Sequence, residues 1–443
     1  MINLLPNAAL SPGGPHGRSP WADAWRRLRR DRAAFVSLCF LIAVVVLAVL
    51  TPMFPLQPPD ADATALQYAA PTAAPFWLNG ARQPLAFSLD REAIQQSTGL
   101  AETLRREIPP LRQSYRQARF AYEQAERSAP ADLGQPQRER RLAERRRQRD
   151  QAWEAMYRKY AEFEDVIQSP YRRAGFPELG PLSRWMVRVR HALFGDGQIN
   201  SLCGRDELGR DLLSQIFWGA RVSLIVGLVA TLVSLVIGVT YGAVAGYFGG
   251  WVDDVMMRLV DILYSIPFIF VVIFIITILN EESVARQLDY YGIGKITVFY
   301  FVVGAIYWLT MSRVVRGQVI SLKNEPFVEA ARSLGAGRSR IIFRHLLPNV
   351  FSVVLVYLTL TIPRVMLFEA FFSFIGLGVD RPDVSWGLLA NEGIRVITPV
   401  RIYWWLVLFP SLALGSTLLA LNFLGDGMRD ALDPRLRDQP SAR

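Results

Sequence analysis

Hydrophobic residues in this chain are collected into long runs that polar stretches separate. A helix needs about 20 apolar residues to cross a bilayer core of about 30 Å. Runs near that length lie at residues 33–53, 222–247, 262–279, 296–311, 350–371 and 404–423. The pattern predicts an all-α membrane protein with six transmembrane helices, of which the first is set apart from the other five by a long polar block.

The first run is expected to remain in the mature protein as a membrane span. A cleaved signal peptide has a shorter apolar core that ends in small residues of the Ala-x-Ala kind. The residues that end and follow this run, from Thr51 to Pro55, contain no such site. We therefore expect a first transmembrane helix over residues 33–54.

The positions of the arginines predict how the chain crosses the membrane. Several stand directly before the first run, namely Arg26, Arg27, Arg29, Arg30 and Arg32. Short loops rich in Lys and Arg stay on the cytoplasmic side. By this rule residues 1–32 and the tail at 427–443 are cytoplasmic, and residues 55–203 lie outside a bacterial plasma membrane. The same topology accounts for the net charge of +10, so no nucleic-acid partner is expected.

The polar block after the first span contains two stretches with a heptad-like pattern. Apolar residues recur at steps of three and four over residues 104–122 and again over residues 153–167, as in helices that pack along a seam. Turn-forming residues at 128–136 separate them. We expect an antiparallel helical hairpin over about residues 100–170, either a solvated coiled coil without a special function or a contact surface for a solute-binding protein. Residues 182–194, where apolar side chains including Trp185 and Phe194 are interleaved with arginines, are expected to lie along the membrane interface.

No catalytic, metal or nucleotide site is expected in this chain. The sequence lacks Gly-x-x-x-x-Gly-Lys-Ser/Thr, whose backbone and lysine bind nucleotide phosphates, and it has no Gly-x-Ser-x-Gly elbow. The histidines are too far apart for a zinc spacing, at His16, His191 and His345. The two cysteines, Cys39 and Cys203, predict neither a disulfide framework nor a metal cluster. Any energy for work must therefore come from a partner.

A short polar segment between two apolar runs resembles a known motif. It reads Glu329-Ala-Ala-Arg-Ser-Leu-Gly335 and is closed by Leu346-Leu-Pro348-Asn349. It is similar to the EAA loop of ABC importer permeases, through which a membrane subunit contacts its ATPase. Further blocks in the same order resemble permeases of dipeptide and oligopeptide importers, namely Gly204 to Ser214, Gly219 to Leu224, Phe374 to Gly378, Ser385 to Gly387 and Asn422 to Pro434.

The resemblance is loose over residues 20–55 and close over residues 204–436, and the insertion at about residues 86–201 has no counterpart. It implies a type I ABC transporter core at 204–426 with an EAA loop at 325–348. It further implies a permease that forms a peptide pathway by alternating access together with a second permease. Two ATPase subunits that bind ATP and Mg²⁺ and an extracytoplasmic solute-binding protein are the other implied partners.

The residues of the EAA loop have a mechanical logic beside the resemblance. Small alanines let a helix seat deeply in a groove, and a glycine permits a turn that other residues resist. A second helix over residues 339–347 is expected to end at a proline that marks entry to the next span. The predicted docking residues are Glu329, Ala330, Ala331, Gly335, Arg338, His345 and Pro348.

Two further groups of residues inside the apolar runs carry predictions. Arg364 lies some 22 Å beyond Asn349 along a helix, and Glu369 lies near the outer edge. Charges at such depth usually face a protein interior or a water-filled cavity. Both are candidates for the translocation path, where Arg364 would meet a peptide carboxylate; alternatively Arg364 pairs structurally or snorkels outward. A stripe of small residues predicts close helix packing, or else a gate, at Gly238, Gly242 and Gly246.

Two rival functions stay open at the level of sequence. Related permeases share these motifs and differ in the cavity, so nickel chelates, glutathione or another small solute are alternative substrates. A different class of protein would be a membrane-anchored scaffold whose coiled coil is the working part. Deletion of residues 100–170 would separate the classes, since a permease keeps some transport and a scaffold loses its function.

Overall fold

A computed structural model of the protein describes residues 20–72, 89–127, 135–195, 197–199, 201–279, 281, 284, 287–288, 295–379, 381 and 383–432. Within these ranges the regular structure is helical, with one isolated bridge between Arg205 and Asp211. The main helices are α1 (Pro20–Arg30), α2 (Arg32–Leu50), α3 (Arg91–Arg127), α4 (Gln135–Arg173), α5 (Pro181–Phe194), α6 (Leu212–Phe248), α7 (Gly250–Ser265), α8 (Phe268–Leu279), α9 (Lys295–Leu322), α10 (Pro326–Ser333), α11 (Leu347–Phe374), α12 (Trp386–Arg395) and α13 (Trp404–Leu432). The all-α membrane fold predicted from the sequence is confirmed.

Most of the predicted spans correspond to single long helices. In the described residues, the helices long and apolar enough to cross a membrane are Arg32–Met53, Leu212–Phe248, Thr297–Leu322, Arg338–Phe374 and Trp404–Leu432. Several extend well past their apolar runs. Helix α6, for example, begins ten residues before residue 222, because the buried Asp211 carboxylate caps it by accepting from the amides of Leu213 and Ser214.

The span predicted at residues 262–279 is wrong as a single helix. Helices α7 and α8 form a pair bent by 81° at a short break. The break follows from Pro267, because the residue before a proline is pushed out of the helical region. Ile266 is accordingly extended, with φ −81° and ψ 122°. The pair counts as a sixth span only if both helices are taken together.

The contacts between helix ends place the segments on two sides of the bundle. The Thr51 hydroxyl at the end of α2 donates to the Phe217 carbonyl near the start of α6. At the other end, Ala34 of α2 packs with Ala431 of α13 and with Leu28 of α1. Helix α6 runs antiparallel to α2, so its carboxyl end lies on this second side. The EAA loop, α1 and the end of α13 therefore share one side of the bundle, and the polar block lies on the other.

The stripe of glycines in α6 faces α9. A Cβ atom at Gly238 would lie 2.9 Å from the Trp308 carbonyl oxygen, and one at Gly246 would lie 2.8 Å from that of Arg316. At Gly242 it would overlap the backbone of Ser312. The absence of side chains lets the two backbones touch along several turns, which ties α6 and α9 into one unit.

Helices α3 and α4 form the hairpin expected in the polar block, and its turn at residues 128–134 lies outside the described residues. The arms run antiparallel, since Lys159 pairs with Glu107 at 3.0 Å while Arg149 stacks over the Tyr122 ring. The seam is buried mainly at the base, where Leu104 is covered. The hairpin is therefore packed most firmly where it joins the bundle.

A partly buried ionic network on the hairpin side fastens the loops to the bundle. The Arg381 guanidinium contacts Asp60 at 2.9 Å, Glu392 at 2.6 Å and Gln215 at 3.1 Å. Gln215 in turn donates to Asp206 at 2.9 Å. Burial raises the pKa of Asp60, and the neighbouring Arg381 charge opposes that shift. One arginine thus joins three segments that are distant in sequence.

We predict that Gly242→Ala lowers the free energy of unfolding by about 2 kcal/mol, because the added methyl group meets backbone that cannot turn aside. Gly415→Ala is the matched control, since a Cβ there meets nothing within 4 Å. Unfolding of the two purified variants in the same detergent would measure this. Equal stability of both would show that the α6–α9 contact is looser than described.

Candidate functional site

The EAA loop begins with helix α10, and this helix ends in a defined capping motif. Pro326 occupies the first turn of α10, where its missing amide hydrogen costs nothing. At the other end the Ala336 amide donates to the Ala331 carbonyl at 3.0 Å, while Gly335 has φ +79°. This is a Schellman motif, which needs a left-handed residue after the helix and therefore favours glycine. The structure thus gives Gly335 a backbone role.

The loop presents a mixed polar and apolar outer face. Glu329 and Ala330 are exposed, and so is Arg338. Beside them Leu334 is 88% exposed and Phe343 is 52% exposed. Large apolar side chains in such positions are typical of a surface that a partner covers.

The inner face of the loop is packed into the bundle. Val328 and Ala331 of α10 are buried, as are Ile341, Ile342 and Leu346 in the turn before α11. They belong to a single apolar cluster with the carboxyl-terminal parts of α9 and α6 and the start of α11, made of Ala243, Met311, Val315, Val319, Val328, Ala331, Ile341, Ile342, Leu346, Val350 and Val354. Motion of α10 must therefore move α6, α9 and α11, since close-packed interiors transmit displacement.

Polar contacts join the loop to the end of α6 as well. The Arg332 guanidinium stacks over the Tyr247 ring at 5.9 Å, and that of Arg338 over the Phe248 ring at 5.6 Å. The Lys323 ammonium donates to the Gly246 carbonyl at 3.2 Å. These contacts fix the position of the loop on both sides of Gly335.

The expectation of two short helices ending at Pro348 needs correction. After Arg338–Arg340 the chain forms a π-helical turn at Ile341–Leu346 and then continues directly as α11. Pro348 falls in the first turn of α11, where it is tolerated. His345 lies in the π turn, and its carbonyl accepts from the Asn349 side chain at 2.7 Å. The second arm of the loop is therefore the beginning of a membrane span.

Arg364 lies on an exposed face of α11. Its carbonyl accepts from the Tyr307 hydroxyl at 3.3 Å. Its side chain makes no hydrogen bond or ion pair with any residue in the described ranges. An unpaired guanidinium inside a membrane span is costly unless water or another protein surrounds it. The structure shows Arg364 exposed on α11, and its place in a translocation path stays a prediction.

Glu369 occupies a different environment from the one expected for a translocation path. The side chain is fully buried, and its Oε1 accepts from the Ser373 hydroxyl at 2.7 Å. The hydroxyls of Ser223 and Ser385 lie beside it. This closed polar cluster joins α6, α11 and the start of α12. Glu369 therefore contributes to packing between these helices, which corrects the expectation that it faces an open path.

Sequence reasoning missed two ion pairs near the EAA loop. Arg316 of α9 binds Asp253 of α7 with two bonds of 2.5 and 2.6 Å. One turn away, Arg313 pairs with Asp261 at 2.7 Å. The sequence signal that was available is the spacing of the two arginines. Arg313 and Arg316 are three residues apart, so they lie on one face of a helix. Among the described residues, no group of three metal-ligating side chains comes together.

Comparisons with known proteins agree with this architecture. Residues 238–438 match the family described as binding-protein-dependent transport system inner membrane component. Residues 19–71 match the N-terminal TM domain of oligopeptide transport permease C. The first match covers α9, the EAA loop and α11, and the second covers α1 and α2.

Individual relatives are similar over about half of this chain. The dipeptide transport system permease DppC of Bacillus subtilis is 44% identical over 234 residues, which are 53% of this chain and 68% of that protein. The oligopeptide transport system permease OppC of Escherichia coli K12 is 46% identical over 234 residues, 53% of this chain and 72% of that protein. The glutathione transport system permease GsiD of Pectobacterium atrosepticum is 40% identical over 236 residues, 53% of this chain and 72% of that protein. The chain therefore belongs to the dipeptide and oligopeptide permease family of ABC importers, as a membrane-spanning permease subunit with a type I transmembrane domain.

Proposed function

We propose that this chain forms one half of the membrane pathway of an ATP-driven importer of peptides. A second permease supplies the other half, two ATPase subunits bind ATP and Mg²⁺, and a solute-binding protein delivers the substrate. The chain itself catalyses no reaction. The observation that carries the proposal is the EAA loop, whose exposed outer face and buried inner face fit a joint between a partner and the spans.

The packing suggests how the joint transmits force. The apolar cluster beneath α10 includes residues of α6, α9 and α11. Glycine contacts and the Arg316–Asp253 pair hold α6, α7 and α9 together. When the ATPases close, the loop and these helices move as one body and open the pathway to alternate sides. This is a rigid-body transition between two states that partner binding biases.

The proposal places the EAA loop and both chain ends in the cytoplasm. Arg332, Arg338, Arg340 and Arg344 accompany the loop, and the arginines of α1 lie on the same side of the bundle. Loops rich in arginine remain cytoplasmic. The hairpin of α3 and α4 then projects outside, where a solute-binding protein would approach.

Peptides are the proposed substrates because the relatives include dipeptide and oligopeptide permeases, and because Arg364 offers a cation to a terminal carboxylate. One relative is named as a glutathione permease, so glutathione stays the second candidate. A role as a membrane-anchored scaffold would not explain why half of the chain aligns with these permeases. Uptake of labelled peptides and of glutathione by the reconstituted importer decides between the substrates.

Replacing Gly335 with valine should uncouple ATP hydrolysis from uptake. A β-branched residue at φ +79° is strained by about 2 kcal/mol, which shifts the end of α10. Gly337→Val is the matched control, since both sites have open space and Gly337 has φ −65°. Uptake per ATP hydrolysed is the measurement. Equal ratios for the two variants would contradict a role for the Schellman turn.

Reversing the charge of Glu329 should weaken binding of the ATPase by about tenfold or more, equivalent to about 1.4 kcal/mol. Glu144→Lys makes the same charge change on an exposed site of the hairpin. Binding of purified ATPase subunits to each permease variant in nanodiscs gives the comparison. If Glu329→Lys and Glu144→Lys bind equally well, the exposed face of α10 is not the docking site.

Removing the charge of Arg364 should raise KM for peptides with a free carboxyl terminus by about tenfold, which is the cost of losing a charged hydrogen bond. The same peptides with an amidated terminus serve as the control and should be affected little. Uptake kinetics of the Arg364→Gln importer measure both. A similar change for free and amidated peptides would remove Arg364 from the substrate path.

A further inference from the structure

Helix α5 lies beside the ends of two candidate membrane spans, on the side that carries the hairpin. It packs against Thr51–Met53, where the first span ends. Its Ser183 hydroxyl accepts from the Arg221 guanidinium at 2.9 Å, and its Val187 belongs to one apolar cluster with Trp218. Arg221 directly precedes the apolar run of α6 that begins at residue 222. Helix α5 is therefore level with the junction of hydrocarbon and headgroups.

This helix has three faces with different chemistry. The face toward the bundle is buried and includes Met186 and Val187. A second face exposes large apolar side chains, with Leu182 62%, Trp185 51% and Leu193 67% accessible. At about 100° per residue these three fall on one stripe. An exposed stripe with a tryptophan is typical of a helix that lies in the membrane interface.

The third face of α5 is basic and lines a cavity. The cavity has a volume of about 270 Å³ and lies between α5 and the bases of the two hairpin arms. Its charged lining consists of Arg105, Arg184 and Arg188 against the single carboxylate of Glu102. An adjoining cavity shares Arg188 and Glu102. Three cations and one anion leave an excess positive charge inside a concave site.

These guanidiniums have no partner among the residues that the structure describes. The side chains of Arg105, Arg184 and Arg188 make no hydrogen bond or ion pair within those ranges. The Nη1 atom of Arg184 is moreover buried without an acceptor. A buried donor that is left unbonded costs free energy, and a charged donor costs more. An anion in the cavity would remove that cost, and arginine binds phosphate oxygens with two parallel bonds.

We propose that this cavity binds the phosphate headgroup of an anionic phospholipid, whose acyl chains lie against the apolar stripe of α5. The two faces stand about a third of a turn apart on one helix, so a single lipid can contact both. Guanidinium groups bind phosphate oxygens with paired hydrogen bonds, so a basic pocket level with the ends of the spans fits the phosphate of a lipid headgroup. The bound lipid fastens the base of the hairpin to the bilayer surface.

The lipid is favoured over a soluble anion or a protein by the position of the cavity. The exposed Leu182, Trp185 and Leu193 are level with the ends of two spans, as the contacts of Ser183 and Thr51 require. A free phosphate ion has no apolar part that could contact this stripe. A protein partner would have to cover apolar side chains that lie level with the ends of the spans, where lipid acyl chains are already available.

The test is lipid binding by the purified, delipidated full-length chain, measured by native mass spectrometry. Phosphatidylglycerol and phosphatidylcholine with identical acyl chains are added in turn, and inorganic phosphate serves as the soluble competitor. The variants are Arg184→Gln combined with Arg188→Gln, and Arg105→Gln alone, which leaves α5 unchanged. Arg140→Gln combined with Arg141→Gln is the control, because both residues are exposed on α4.

Phosphatidylglycerol should bind in preference to phosphatidylcholine, and the double cavity variant should lose about tenfold or more in affinity. Arg105→Gln should show a smaller loss, and the control none. Equal binding by the double variant and the control would overturn the proposal. So would displacement of the lipid by inorganic phosphate at equal concentration, which indicates a site for a free anion. Unchanged lipid binding together with lost affinity for the solute-binding protein would assign the cavity to that protein.

Discussion

The apolar cluster beneath the EAA loop is the contact on which the rest of the proposed mechanism depends. Val328 and Ala331 reach down from α10, while Val315 and Val319 reach across from α9. Because this cluster is fully covered, the loop cannot shift without moving the helices below it. The outer face of the same loop remains exposed, and the Leu334 side chain on it is almost fully accessible to solvent. A partner bound there would be coupled to the spans through this packing and through the contacts of Arg332, Arg338 and Lys323 with the end of α6.

Close backbone contact carries this coupling further into the membrane. The glycines of α6 let α9 approach until the two backbones touch. Gly304 of α9 makes a similar close contact nearer the hairpin side, where an added Cβ atom would lie 2.6 Å from the Ala230 carbonyl oxygen. On that side Arg381 joins Asp60 and Glu392. The molecule thus has a stiff central pair of helices with a loop at one end and an ionic network at the other. The hairpin stands on the network side and is packed mainly at its base.

Sequence patterns predicted the features that depend on local composition. The apolar runs gave the helices, the glycine spacing indicated a contact face, and the alternating steps of three and four indicated the hairpin. Features that depend on geometry were missed. Hydropathy does not show that the chain bends at Ile266 and Pro267 within an apolar run. It also does not show that a π-helical turn joins Arg340 to α11. The burial of Glu369 required knowledge of where Ser373 and the serines of neighbouring segments come together. The cavity at α5 likewise arises from segments that are separate in sequence.

Hydrogen–deuterium exchange in the assembled importer would show whether the ATPase subunits dock on helix α10. We predict that the amides of residues 327–336 exchange about tenfold more slowly when the ATPase subunits are bound, because docking suppresses opening of α10. Amides of α3 and α4 should exchange at the same rate with and without the ATPases. Unchanged exchange at residues 327–336 in a complex shown to be intact would mean that the ATPase subunits do not dock on α10.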